Sequence, residues 1–387
     1  MDEQTQRAFD ALQRIGWLLE RGREPTYRVR AFRNAAETVA GMADGELALR
    51  LTEGTLTNLS GIGDATSRVI AEAAGGSVPE YLSKLEEKAG SALATGGEAL
   101  RAQLRGDLHM HSDWSDGGSS IEEMVTAARD LGHDYVALTD HSPRLTVARG
   151  LSPERLLEQL DIVRSLNKEM APFRILTGIE VDINEDGTLD QSDELLAKLD
   201  VVVASVHSKL RMPRDDMTRR MLIAIANPHT DVLGHCTGRL VTGRGRPESE
   251  FHADLVFEAC RHFGVAVEVN SRPERLDPPR RLLSQAVEAG CLFSVDTDAH
   301  APGQLDWQIY GCARAEECDV QAERIINTMA LDDLLEWTAA WDLRDRLQRT
   351  FVVEAAAVVE IAPVVGLVGR VVSARAELLA EVSRRLI

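Results

Sequence analysis

Six of the ten histidines in this 387-residue chain, together with three carboxylates, lie in short motifs typical of divalent-metal ligands. The motifs are DLHMHSDWSDG, ALTDH, TGIEVD, ASVHS, LGHC and DTDAH. The candidate ligands are His109, His111, Asp116, His141, Glu180, His207, His235, Asp298 and His300. One divalent ion takes about four to six ligands, so a set of this size indicates more than one ion.

The spacing within the motifs indicates what these ions could do. Side chains alternate along a strand, so His109 and His111 point to the same side, as do Asp298 and His300. Glu180 is placed to bridge neighbouring ions. Paired ions clamp the attacking and leaving oxygens of a phosphoryl displacement and acidify bound water, so the set predicts hydrolysis of phosphate esters. Ordinary hydrogen bonding at strand ends is the alternative, and it does not explain the whole set.

The elements that position these residues form a repeating pattern from Gly106 onward. Short apolar segments alternate with helical ones, and the strand candidates are LRGDLH, DYVALTD, RILTGIEV, DVVVASVH, DVLGH, VAVEVN and CLFSVD. Six of them lead into a candidate ligand and one ends at Asn270. A closed barrel brings all carboxyl ends to one mouth, whereas an open sheet separates its outer strands. We therefore predict an α/β fold, a distorted seven-stranded (βα) barrel.

Composition changes divide the chain into four parts. Residues 1–90 have helical periodicity only and predict a small all-α domain. An Ala- and Gly-rich linker at 91–104 leads to the barrel at 105–340, and an apolar extension at 341–387 predicts further helix of unknown role.

Charge and cysteine content limit the partners. The net charge of −19 argues against a broad nucleic-acid footprint but allows local phosphate contacts. The five cysteines form no CxxC motif, so we expect reduced thiols and a cytoplasmic location. No membrane association is expected, because the apolar run from Phe351 is interrupted by Glu354, Glu360, Pro363 and Arg370. The oligomeric state stays open.

The motifs resemble the polymerase-and-histidinol-phosphatase (PHP) superfamily, over about residues 105–340. TGIEVDINEDGTLD, VVVASVHSKLR, ANPHTDVLGHCTGRL and EVNSRPERLDPP are similar to the PHP domain of bacterial family X DNA polymerases. The resemblance implies a centre of up to three divalent ions, Mn²⁺ or Zn²⁺, with Fe²⁺ as a further option. It assigns the ions to His109, His111, Glu180 and Asp298; to Glu180, His207 and His235; and to Asp116, His141 and His300.

The same resemblance implies catalytic residues beside the ions. Glu180, Arg239, Arg275 and Asn270 match positions at this mouth. Arginine suits bidentate contacts to phosphate, and surface ion pairs are the alternative role for Arg239 and Arg275.

The N-terminal segment LSGIGDATSRVI resembles a helix-hairpin-helix element, and YRVRAFRNAAETV resembles the small domain of the same polymerases. Backbone N–H groups at such a hairpin hold DNA phosphates and read no bases. The residues implied are Gly61, Gly63, Thr66, Arg68, Arg28 and Arg30. The alternative is a helical domain that only packs.

Together these features predict a metal-dependent phosphoesterase acting on DNA. A 3′→5′ exonuclease or 3′-end-processing phosphodiesterase in DNA repair is the preferred function. Only a short linker separates the hairpin from the barrel, so we expect no polymerase activity. Two alternatives stay open: a phosphatase of a small monoester such as histidinol phosphate, and a non-catalytic DNA-binding protein with structural metals.

Overall fold

The structure is a computed structural model that describes residues 1–339. The extension predicted for 341–387 lies outside the described residues. Among those residues, no helix is both long and apolar enough to cross a bilayer.

Within residues 1–339, seven parallel strands form one sheet in the order of the sequence. They are β1 Gly106–Met110, β2 Tyr135–Leu138, β3 Arg174–Asp182, β4 Val201–Ser205, β5 Val232–Leu233, β6 Ala266–Asn270 and β7 Phe293–Asp296. The sheet nearly closes on itself, because Met110 at the end of β1 pairs with Ala299 after β7, and His111 N donates to Ala299 O at 2.8 Å. The predicted seven-stranded α/β barrel is therefore confirmed.

The helices belong to two parts of the chain. Before the barrel come α1 Glu3–Arg21, α2 Thr26–Ala40, α3 Glu46–Glu53, α4 Asp64–Ala74, α5 Glu80–Ala89 and α6 Glu98–Arg101. Within and after it come α7 Ile121–Asp130, α8 Pro153–Glu169, α9 Asp193–Leu196, α10 Arg214–Ala226, α11 Ala253–Phe263, α12 Arg280–Ala289, α13 Gln308–Glu317 and α14 Leu331–Thr338. The segment expected to be a linker thus contains a short helix, α6.

Local sequence explains several of these boundaries. Asp2 accepts a hydrogen bond from Thr5 N at the start of α1, and Ser120 with Glu123 forms a capping box on α7. The strands are almost wholly buried, since helices cover the outer face of the sheet. At the amino ends of the strands, Tyr135 donates its hydroxyl hydrogen bond to the carbonyl groups of Asn327 and Met329, so the segment before α14 covers that end.

The N-terminal helices have their own apolar core and also dock on the barrel. Leu12, Ile15 and Leu19 repeat at helical spacing and are fully buried in that core. At the docking face, Arg21 Nε lies 2.5 Å from Asp306 Oδ2. Gly303 N donates to Glu20 Oε2 at 2.9 Å. These contacts fix the helical part beside the loop that follows β7.

Candidate metal centre

The structure brings the nine candidate ligands together at the carboxyl ends of the strands. His109 lies in β1 and Glu180 in β3, while the others follow the ends of β1, β2, β4, β5 and β7. The six imidazole rings form a continuous cluster, in which neighbouring ring centroids are 4.3 to 6.3 Å apart. Asp116 is the exposed member of the set, at its solvent edge.

Glu180 occupies the middle of this cluster. Its Oε1 lies 2.8 Å from His235 Nε2 and 3.2 Å from His207 Nε2. The imidazole nitrogens nearest its Oε2 are His141 Nδ1 at 2.9 Å, His109 Nε2 at 3.4 Å and His111 Nε2 at 3.5 Å. One carboxylate therefore faces histidines from four other strands, the arrangement that a bridging ligand requires.

Among residues 1–339, three groups of donor atoms are compact enough to hold a cation. They are His109, His111 and Glu180; His141, Glu180 and His207; and His111, Asp116, His141 and His300. The first group contains three of the four residues expected for one ion, with Asp298 outside it. The second group has His141 where His235 was expected, and the third adds His111. The described residues thus form three groups, as expected. However, His111 and His141 each belong to two of them, and His235 and Asp298 belong to none.

Buried atoms without a hydrogen-bond partner test whether these residues fit divalent cations. The unpartnered atoms that face Glu180 are Nε2 of His109, His111 and His207. A buried polar atom left without a partner is costly, and native folds keep few of them. These three nitrogens converge on the Glu180 carboxylate, and imidazole nitrogen with carboxylate oxygen is a donor set of transition-metal ions. The residues therefore fit bound divalent metal.

Two carboxylates that our sequence analysis did not single out, Glu268 and Asp182, orient two of the imidazoles. His109 Nδ1 lies 2.6 Å from Glu268 Oε1, and His207 Nδ1 lies 2.5 Å from Asp182 Oδ1. An ionised carboxylate only accepts, so Nδ1 carries the proton and the Nε2 lone pair faces the centre. A sequence signal existed for Glu268, a lone charge within the apolar strand segment VAVEVN.

Asp298 is held by a shell of cationic and amide groups. Arg275 Nε donates to its Oδ2 at 3.0 Å, Asn270 Nδ2 to the same oxygen at 3.3 Å, and Arg272 Nη1 to its carbonyl at 3.1 Å. Its Oδ1 lies 3.5 Å from His111 Nε2. The backbone is left-handed here, with φ of +53°, which is uncommon for a residue other than glycine. The structure thus places Asn270 and Arg275 against a candidate ligand.

Arg239 has a different environment. Its Nε donates to the carbonyl of Arg275 at 3.0 Å, and its Nη2 donates to the carbonyl of Leu276. Its remaining ion pair is with Glu248, at 3.6 Å. Among the described residues, then, it contacts the loop that carries Arg275 rather than any candidate ligand.

The charges of the cluster compensate one another. Burial would raise the pKa of Glu180, but the imidazoles of His207, His109 and His141 outweigh it and hold that pKa well below its usual value. Burial would also raise the pKa of Asp298, but the guanidinium groups of Arg275 and Arg272 hold that pKa well below its usual range. Both carboxylates therefore stay ionised in the interior, as metal ligands must.

The pKa values of the imidazoles shift in two directions. Burial, with His300 and His141 nearby, lowers the pKa of His111 well below its usual value, and burial beside Arg275 lowers that of His235 to about 4. For His141, burial opposes the rise, but Glu180 and Asp116 raise its pKa to about 10. The carboxylates of Glu180 and Asp116 thus favour a positive charge at the centre, either a protonated imidazole or a bound cation.

The segment predicted to form the hairpin lies at the start of α4. Gly61 has a φ of +86°, and Gly63 is the N-cap residue of α4. The Thr66 hydroxyl accepts from Gly63 N at 2.9 Å and donates to Gly63 O at 3.0 Å, so this side chain is used inside the hairpin. An L side chain at Gly61 would be strained, which explains glycine at this turn.

The basic residues predicted to accompany the hairpin differ in availability. Arg30 and Arg68 are exposed. Arg28 donates to Glu24 at 2.5 Å and to the hydroxyl of Tyr81 at 2.6 Å. Arg30 and Arg68 are therefore more accessible to a phosphate than Arg28.

The chain is similar to known proteins over the barrel. Residues 107–272 match the PHP domain family. A probable phosphatase of Thermoanaerobacter sp. (strain X514) is 30% identical over 205 residues, which are 50% of this chain and 78% of that protein. The chain therefore belongs to the PHP family, and its fold and donor set are those of a metal-dependent hydrolase of phosphate esters.

Among individual relatives, DNA polymerase/3′-5′ exonuclease PolX of Bacillus subtilis (strain 168) is 42% identical over 232 residues. That match covers 60% of this chain and 40% of PolX. A solved structure of histidinol phosphate phosphatase from Lactococcus lactis, with zinc, L-histidinol and phosphate, is 17% identical with a TM-score of 0.39. It covers 57% of this chain and 94% of that one.

Proposed function

We propose that this hydrolase is a 3′→5′ exonuclease and 3′-end-processing phosphodiesterase that acts on DNA in repair, without polymerase activity. The observation that carries the proposal is the shared Glu180 carboxylate, which faces imidazoles from four other strands at the barrel mouth. Divalent cations, when bound by such a set, polarise a phosphate oxygen and acidify water. Mixed imidazole and carboxylate donors favour Mn²⁺ or Zn²⁺, with Fe²⁺ as the further option.

The chain's own residues have distinct tasks in this proposal. Glu268 and Asp182 fix the rings of His109 and His207, so that the donor atoms need no reorganisation when a cation binds. Arg275 keeps its Nη1 buried and without a hydrogen-bond partner, while its Nε is anchored on Asp298. That free donor suits a phosphate oxygen, which gives Arg275 the role of neutralising charge in the transition state.

Two features support DNA as the substrate. PolX, the relative at 42% identity, carries 3′-5′ exonuclease in its name. The turn at Gly61 and the start of α4 offer backbone N–H groups of the kind that hold phosphate without reading bases. The docking of α1 on the loop after β7 keeps this helical part attached to the barrel.

A small-monoester phosphatase is the second candidate. Several relatives that are 26–30% identical are named probable phosphatases, and these matches cover 78–89% of their lengths. For a phosphatase of this kind the N-terminal helices would have no task. The third candidate is a DNA-binding protein whose metals are only structural. It would leave the accessible mouth of the barrel without a function.

One experiment separates the three. A 5′-labelled oligonucleotide is incubated with the protein and Mn²⁺, and its products are sized, while phosphate release from histidinol phosphate is measured in parallel. The proposal predicts stepwise shortening from the 3′ end and its loss in Glu180→Gln, with Glu194→Gln, an exposed control on α9, retaining it. Phosphate release without shortening would favour the phosphatase, and shortening that persists in Glu180→Gln would contradict a role for the centre.

A further inference from the structure

Two neighbouring loops beside the metal centre expose a group of basic side chains. Lys209 and Arg211 lie on the loop after β4, and Arg244 lies at the tip of the loop after β5. All three are exposed, and within residues 1–339 none of them has an ion pair or a side-chain hydrogen bond. These three side chains, carried by a pair of loops, form the basic loop pair.

The two loops are held in defined positions. The buried Arg220 guanidinium donates to the Ser208 carbonyl at 2.8 Å, and Ser249 Oγ donates to the Leu210 carbonyl at 2.9 Å, which ties the loops together. Leu240 and Arg246 pair as an antiparallel bridge, with N–O distances of 3.0 and 2.9 Å. The exposed cations therefore project from a fixed surface.

This surface leads away from the centre toward the helical part of the protein. The loops begin at His207 and His235, two of the candidate ligands. Val241 N donates to Glu274 O at 2.7 Å, and Glu274 also lies 3.2 Å from Arg23, just after α1. The loop after β5, which carries Arg244, thus lies close to the end of α1.

Residues 206–213 and 234–252 contain five basic residues and two acidic ones, Glu248 and the exposed Glu250, whereas the whole chain has a net charge of −19. Of the acidic residues on the loop after β5, Glu248 is paired with Arg239 and Arg281. At its tip, Gly243 and Gly245 have φ of +64° and +66°, and no atom lies within 4 Å of where a Gly243 side chain would begin. The tip is therefore open to a strand of regularly spaced negative charges.

We propose that the basic loop pair is the docking surface for the phosphate backbone of a DNA strand whose 3′ end lies at the metal centre. The inference rests on the proposed function and adds a second contact region, distinct from the hairpin at α4. Exposed lysine and arginine side chains contact phosphates without reading sequence, and such contacts weaken steeply as salt concentration rises.

The test compares two double variants that remove the same charge. Arg211→Gln with Arg244→Gln alters the surface, and Lys168→Gln with Lys198→Gln removes two exposed lysines near the amino ends of the strands. With Mn²⁺, kcat/KM for a single-stranded oligonucleotide is measured across a salt series. Hydrolysis of bis(p-nitrophenyl) phosphate, which is too short to reach either loop tip, reports on the centre itself.

The first variant should lose about tenfold in kcat/KM on DNA at low salt, and its log–log salt slope should fall by about 1.4. Turnover of the small diester and both activities of the lysine variant should stay near wild type. Anisotropy of a labelled oligonucleotide with metal-free protein should give the same ranking of affinities.

DNA kinetics equal to wild type would overturn the docking surface while leaving the proposed function intact. Equal losses on DNA and on the small diester would also overturn it, because the substitutions would then act on the centre. Failure of the wild-type protein to shorten DNA at all would instead reject the proposed function, and the docking surface with it.

Discussion

His109 Nδ1 lies 2.6 Å from Glu268 Oε1, and this contact selects which ring nitrogen of His109 faces the candidate metal centre. The other oxygen of Glu268 accepts from the backbone N–H of His235 at 2.5 Å. The buried Glu268 carboxylate thus orients two candidate ligands from different strands. It contacts the side chain of His109 and the backbone of His235.

Replacing Glu268 by Gln should weaken metal binding without unfolding the protein. The amide has one accepting oxygen, so either His109 or the His235 backbone would face an NH₂ group. Loss of such an orienting partner typically reduces metal affinity about 10- to 100-fold. Competition with a chelator for Zn²⁺ or Mn²⁺ measures the loss, and circular dichroism controls for folding. Affinity within twofold of wild type would argue against the orienting role.

Removing Arg275 should destabilise the metal-free protein. Arg275→Met would leave the buried Asp298 with Arg272, 3.4 Å from its Oδ1, as its remaining cationic partner. Breaking a buried pair from one side costs about 3–5 kcal/mol, and we expect the lower end because Arg272 remains. Urea unfolding in a chelator gives the value. A loss below about 1 kcal/mol would mean that Arg275 does not compensate the Asp298 charge.

Acid should destabilise the protein partly through His133, which is not a candidate ligand. Burial, with Arg101 nearby, lowers its pKa from 6.5 to about 3. The unfolded chain therefore binds this proton first, and stability falls as the pH drops from about 6.5 toward 3. The loss is about 1.4 kcal/mol per pH unit at most. In His133→Asn the pH dependence of the unfolding free energy should be flatter by this amount; equal slopes would refute the assignment.

The contact between the helical part and the barrel depends on a residue without a side chain. A Cβ added at Gly303 would overlap the carbonyl oxygen of Trp17, while one at Gly90 would meet only ordinary contacts. Gly303→Ala should therefore separate the two parts, with a larger radius of gyration and two unfolding transitions. Gly90→Ala is the matched control. A single transition and an unchanged radius in Gly303→Ala would show that the interface tolerates the methyl group.

Much of the barrel could be predicted from sequence, because buried parallel strands are continuous apolar runs that end in polar residues. The nine candidate ligands were found in this way, and so was Asn270 at the end of β6. Period-two alternation would also have revealed Glu268, two residues before Asn270, and Asp182, two residues after Glu180.

Other features could not be predicted from a linear pattern. Arg239 and Arg275 both lie in loops rich in charge, but only the tertiary path of those loops decides which reaches Asp298 and which supports the backbone. The grouping of His141 with His207 depends on how far each ring extends past its strand. Spacing along the chain holds no information on either point.

Anomalous diffraction from crystals soaked with Mn²⁺, recorded at the manganese edge, tests the central claim most directly. We predict more than one strong peak beside Glu180, each within coordination distance of imidazole nitrogens from the groups around it, and loss of these peaks in Glu180→Gln crystals. Crystals of the wild-type protein with no anomalous peak near Glu180 would contradict the account of this site as a metal centre.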